Sequence, residues 1–121
     1  MERCLFREGH GVFPAVREFL ARFGDLVIAY PRKDGSTDEL DFRAENAAIA
    51  APVERVAPCS AELGVELCPV GEYYWGHFKI MIAADGQMVA AFGSLINRLG
   101  RSAEEAVENI LMGNELERLR D

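Results

Sequence analysis

Apolar positions along the chain change period several times, and each change predicts an element. Val16, Phe19, Leu20 and Phe23 recur at i, i+3, i+4 and i+7, the spacing of one helix face, over Pro14 to Phe23. Pro14 suits the first turn, where its missing N–H is not needed, and Gly24 suits the left-handed residue that ends a helix. The run Leu26 to Tyr30, stopped by Pro31, predicts a strand. The polar stretch Arg32 to Asp38, with Asp34-Gly35, predicts a turn. Leu40, Phe42 and Ala44 then alternate with Asp41 and Arg43, as a half-buried strand does, so the two strands can form a hairpin. Glu45 to Ala51 is alanine-rich and has no clear period. Val53, Val56 and Leu63 predict a helix over Pro52 to Leu63, kinked or split at Pro58 and stopped by Gly64. Val65 to Val70 predicts a short strand, at a sheet edge because Pro69 lacks an N–H.

The second half has clearer patterning. Phe78, Ile80 and Ile82 alternate with Lys79 and Met81, Asp85-Gly86 supplies a two-residue hairpin turn, and Gln87 to Phe92 returns. Such a turn sets Ile82 opposite Val89 and Ile80 opposite Ala91, which defines one core face. Ser102 and Glu105 have capping-box spacing ahead of the stripe Ala103, Ala106, Val107, Ile110 and Leu111, and Gly113 closes that helix. Asn114 to Asp121 reads as one or two further helical turns. Strand and helix patterns interleave with hairpin-length connections, with no repeat or linker. They predict one domain over residues 1–121 of α+β class, an antiparallel-rich mixed sheet covered by helices.

Composition narrows the function. The chain has 121 residues, 50% of them hydrophobic, enough for one core without metal or disulfide staples. Its net charge of -7 repels phosphate backbones and anionic membranes, so neither nucleic acid nor membrane is an expected partner. Cys4, Cys59 and Cys68 form no close pair and no metal-ligand spacing, which predicts no disulfide framework and no zinc. Met1 to Gly9 holds four charged residues and no apolar run, unlike a secretory leader, and the expected compartment is the cytoplasm.

Little in the chain points to catalysis. His10 and His77 are its only bases of that type, and Cys59 and Cys68 lie in apolar segments where free cysteines pack as inert core. Gly9-His10-Gly11 lacks the lysine and preceding strand of a phosphate loop and reads as a flexible lead-in. The carboxylates Asp38, Glu39 and Asp41, and later Glu104, Glu105 and Glu108, read as solvated faces. The unusual stretch is Gly71-Glu72-Tyr73-Tyr74-Trp75-Gly76-His77, three aromatics between two glycines. Exposed Tyr and Trp anchor protein interfaces, and the alternative is that these rings pack on the domain's own helices.

Several blocks, in order, resemble the third subfamily of the SUKH superfamily of bacterial immunity proteins. They are Leu67-Cys68-Pro69-Val70-Gly71-Glu72-Tyr73-Tyr74, the Asp85-Gly86 turn, Leu99-Gly100 leading to Glu104-Glu105-Ala106, and Leu111-Met112-Gly113. The likeness runs from about Val53 to Gly113 and extends more weakly to Val16 through Gly24. Val89 departs from it, standing where the family pattern carries an aromatic. Gly71, Asp85, Gly86, Gly100 and Gly113 match the family and make sense as turn and cap positions.

The resemblance implies a SUKH-like fold and a protein that binds a cognate toxin, a nuclease or nucleic-acid deaminase, with no cofactor, no metal and no enzymatic activity. Residues 61–121 hold ten acids against five bases, which would complement a basic toxin cleft. The expected partner-binding residues are Glu72, Tyr73, Tyr74, Trp75, Asp85, Glu104, Glu105 and Glu108. The competing readings are a non-catalytic scaffold or regulatory module of the same fold, and a small enzyme, which would need His77, Cys68 and a carboxylate in one cleft.

Overall fold

A computed structural model describes residue 5 and residues 9–120. The first eight positions apart from Leu5, including Cys4 and the stretch read as unlike a leader, lie outside the described residues, as does Asp121. In chain order the elements are α1 (Pro14–Phe23), β1 (Val27–Pro31), β2 (Thr37–Asp41), α2 (Ala44–Ala50), α3 (Val53–Leu63), β3 (Leu67–Tyr73), β4 (Phe78–Ala83), β5 (Met88–Phe92), β6 (Leu95–Gly100), α4 (Ala103–Met112) and β7 (Glu117–Arg120). The seven strands form one sheet in sequence order, every neighbour antiparallel. This α+β architecture is the predicted class, with a sheet antiparallel throughout.

Each face of the sheet has its own core. On the first face, Val16, Phe19 and Leu20 of α1 and Ala106 and Ile110 of α4 pack over Leu40, Val70, Ile80, Ile82, Met88 and Ala90. Phe19 meets Phe42 edge to face with ring centroids 5.0 Å apart. On the second face, Val56 and Cys59 of α3 pack over Leu67, Met81, Ala83, Val89 and Ala91. The β4–β5 hairpin therefore buries both of its faces, which the reading of a single core face did not allow.

The register of that hairpin also differs by one residue from the expected one. Ile82 pairs with Met88 and Ile80 with Ala90. The N–H of Ala83 donates to Gln87 O at 2.8 Å and the N–H of Gly86 to Ala83 O at 2.9 Å, so the loop is three residues, Ala84-Asp85-Gly86. Gly86 takes the left-handed position (φ +92°) that such a loop requires. Asp85 Oδ1 accepts from the Gln87 N–H at 3.1 Å and holds the longer turn. A one-residue slip exchanges faces, so Val89 and Ala91 line the second core.

Other local expectations meet tertiary overrides. The α1 helix stops with Asp25, not Gly24, in the left-handed region (φ 67°). The second strand ends at Asp41, and Ala44 begins α2. The α3 helix is one element through Pro58, with Val56 and Cys59 as its buried residues. Pro69 lies in an interior strand, yet β2 pairs with β3 only at Asp41–Glu72, so β3 has no β2 neighbour at Pro69. The tail expected to be helical is β7, and Leu95–Gly100, for which the sequence pattern predicts no element, is β6. His10, read as part of a flexible lead-in, is buried. Gly71 and Gly100 are close-approach positions inside strands, not turns. A Cβ on Gly71 would meet the Asp41 carbonyl at 2.5 Å, and one on Gly100 the Ala106 nitrogen at 2.5 Å.

Candidate partner-binding surface

The aromatic stretch does not continue as a strand. The β3 strand ends at Tyr73, and Tyr74 (φ 57°), Trp75 (φ 57°) and Gly76 (φ 79°) follow in the left-handed region. Each non-glycine residue there costs about 1–2 kcal/mol, so something must hold the turn. Asp38 does so. Only 1% exposed, its carboxylate accepts four hydrogen bonds: Tyr30 Oη (3.0 Å), the Tyr74 N–H (3.0 Å), the Trp75 N–H (3.1 Å) and the Glu39 N–H (2.7 Å). The His77 N–H closes the turn on Tyr74 O at 3.0 Å, and Lys79 Nζ donates to Gly76 O.

The three rings then diverge. Tyr73 turns inward and stacks on Phe78 at 5.2 Å. Tyr74 carries the Arg32 guanidinium 4.3 Å above its ring, a cation–π contact. Trp75 is 61% exposed and makes no ring contact among the described residues.

Acids surround the indole. Glu39, Asp41 and Glu72 share a depression with Trp75, Arg43 and Asn46. Asp41 is drawn up by burial but held below the usual carboxylate range by Arg43, which donates from its backbone N–H (2.9 Å), Nε (3.0 Å) and Nη2 (2.8 Å). Glu72 accepts from Lys79 Nζ at 3.1 Å. Glu39 has no ion-pair partner among the described residues. The arrangement is an exposed aromatic on a held turn beside three carboxylates, of which Asp41 is paired with Arg43 and Glu72 with Lys79.

A scan against protein-family models matches residues 2–113 to the SUKH-3 immunity protein family. The chain belongs to that family. Searches of curated proteins and of solved structures returned no match. The match is wider than the stretch that carries the resemblance, and it takes in β1 and β2 with Asp38 and Asp41. Membership in SUKH-3 carries the family's role, toxin-neutralising immunity through binding a cognate toxin.

This SUKH-3 chain distributes the expected binding residues over two regions. Glu72, Tyr74 and Trp75 gather at the β3–β4 turn, with Tyr73 directed into the core. Asp85 and Glu104 line a separate depression with Glu18 and Arg22, and Arg22 pairs with Glu104. Glu105 and Glu108 are exposed on α4. The two turns lie at opposite ends of β4, six residues and so roughly 20 Å apart.

Asp38 and Asp41, which the sequence pattern places on solvated faces, are buried. The signal for Asp38 was present, since period 2 places it on the same face as Leu40. The enzyme constellation does not assemble. Cys68 is fully buried in the first core, whereas His77 lines a recess with Cys59 on the second face. No helix among the described residues is long and apolar enough to cross a membrane.

Proposed function

We propose that this SUKH-3 protein neutralises its toxin in the cytoplasm by direct binding, covering a basic toxin surface with the acidic surface centred on Trp75. The observation that carries the reading is the indole itself: 61% exposed, on a turn held from beneath by Asp38, among Glu39, Asp41 and Glu72. A Trp whose backbone is already held by Asp38 has less chain left to order on binding, and reducing that cost is how interface anchors gain affinity. A nuclease or nucleic-acid deaminase must hold phosphate with basic side chains, and those same side chains find carboxylates here. An Arg or Lys of the toxin would stack on the Trp75 face and pair with Glu39. Asp85, Glu104, Glu105 and Glu108 extend negative charge beyond this contact and act mainly on the rate of encounter.

Co-expression with the toxin domain encoded beside this chain tests the reading. The folded chain should rescue growth and co-purify with the toxin, and Trp75→Ala should weaken both. The association rate should fall by about tenfold or more as salt rises from about 0.05 to 0.5 M. An association rate indifferent to salt, or full rescue by a folded Trp75→Ala chain, removes the proposal.

A further inference from the structure

One recess departs from the charge of the rest of the molecule. It lies between α3 and the second face of the sheet, and Val56, Cys59, Met81 and Ala91 form its apolar floor. Arg55, His77, Lys79 and Arg120 stand around it, and no carboxylate lines it. The depressions beside Tyr74, Asp85 and Trp75 all contain acids: Asp38 in the first, Glu18 with Glu104 in the second, Glu39 with Glu72 in the third. In a chain of net charge -7, a recess with three permanent cations and no anion is a local inversion of sign.

The cations differ in how far they are already satisfied. Lys79 is held by Glu72 and by Gly76 O. Arg120 reaches Glu62 only at 4.0 Å, and Arg55 is exposed with no ion pair among the described residues. Burial pushes the Cys59 thiol up, against the pull of Arg120, so at neutral pH it stays an uncharged part of the floor. The volume, about 380 Å³, falls within the range of small-molecule sites.

We propose that this recess binds a small amphipathic carboxylate, with its alkyl chain on Val56, Met81 and Ala91 and its head group against Arg55 and Arg120. The pairing of floor and rim selects this class. A purely apolar ligand would draw nothing from the cations, and an inorganic anion nothing from Met81. The recess abuts the Trp75 depression through Lys79, which bonds Glu72 and Gly76 O there, but shares no lining residue with it, and the proposal does not depend on the toxin reading.

Octanoate is the probe, titrated into the full chain and followed by amide and methyl NMR. Acetate supplies the head group alone, and octyltrimethylammonium the same tail with opposite charge. Octanoate should give saturable shifts clustered at Val56, Met81 and Ala91, with both controls at least about tenfold weaker. Arg55→Glu with Arg120→Glu should weaken octanoate by about tenfold or more with an unchanged circular dichroism spectrum. If that double variant does not fold, Arg55→Gln on the exposed side of α3 should still weaken it severalfold. Shifts that do not saturate, shifts centred elsewhere, or equal binding of the cationic control would overturn the proposal.

Discussion

The backbone N–H of Trp75 donates to Asp38 Oδ1 at 3.1 Å across a separation of 37 residues. An exposed indole is thus positioned by a buried carboxylate from another hairpin, and the same carboxylate takes the Tyr74 N–H and Tyr30 Oη. Surface and core are coupled at this one side chain, so the two residues should respond differently to substitution.

Asp38→Ala leaves four buried or half-buried donors without their acceptor. Folding stability, read from urea denaturation, should fall by about 3 kcal/mol or more. Asp38→Asn keeps an acceptor for the Trp75 N–H and should cost less. Equal loss in the two variants would mean that the carboxylate's charge, not its geometry, holds the turn.

Trp75→Ala removes an exposed ring, and stability should stay within about 0.5 kcal/mol of the parent chain. Toxin affinity should drop by about 2 kcal/mol, roughly thirtyfold, as for a central aromatic anchor. Calorimetry with the purified toxin domain measures this directly, and an unfolded variant would place Trp75 in the core.

Gly71→Ala sets a methyl 2.5 Å from the Asp41 carbonyl and 2.6 Å from Phe42 Cδ1. A backbone atom and a fully buried ring have little room to yield. The change should cost about 2–3 kcal/mol in urea denaturation although the strand's backbone geometry suits alanine.

Burial pushes the Tyr73 phenol up to about 12, with Asp38 adding to the effect, and raises Tyr30 through burial and its bond to Asp38. Both raised values mean that the folded state keeps protons the unfolded chain releases above about pH 10. This contribution is fully present below pH 10 and is lost as pH rises from there toward 12. Native phenolate absorbance at pH 11 should be well below that of the chain in urea. Asp41 acts in the opposite direction: its lowered value supports the fold above about pH 4 and is lost on further acidification. Arg43→Ala should shrink that acid-side term.

By itself, the sequence determined what depends on near neighbours. The α1 stripe, the Ser102 cap that accepts the Glu105 N–H at 3.2 Å, the left-handed Gly64 and Gly113, and the existence of the β4–β5 hairpin all follow from spacings of a few residues. The SUKH-3 blocks were legible for the same reason, as local words in a recognisable order. Tertiary structure decided what depends on partners distant in the chain. The hairpin register turned on whether its loop held two residues or three, and burial of both sheet faces tolerates either face for Val89. The β7 strand, charged and without apolar alternation, is a strand because β6 offers it an edge. Asp38 carries no sign in its neighbourhood that it will bond Tyr74 and Trp75. A carboxylate is worth burying only where donors converge on it, and here they converge through folding alone.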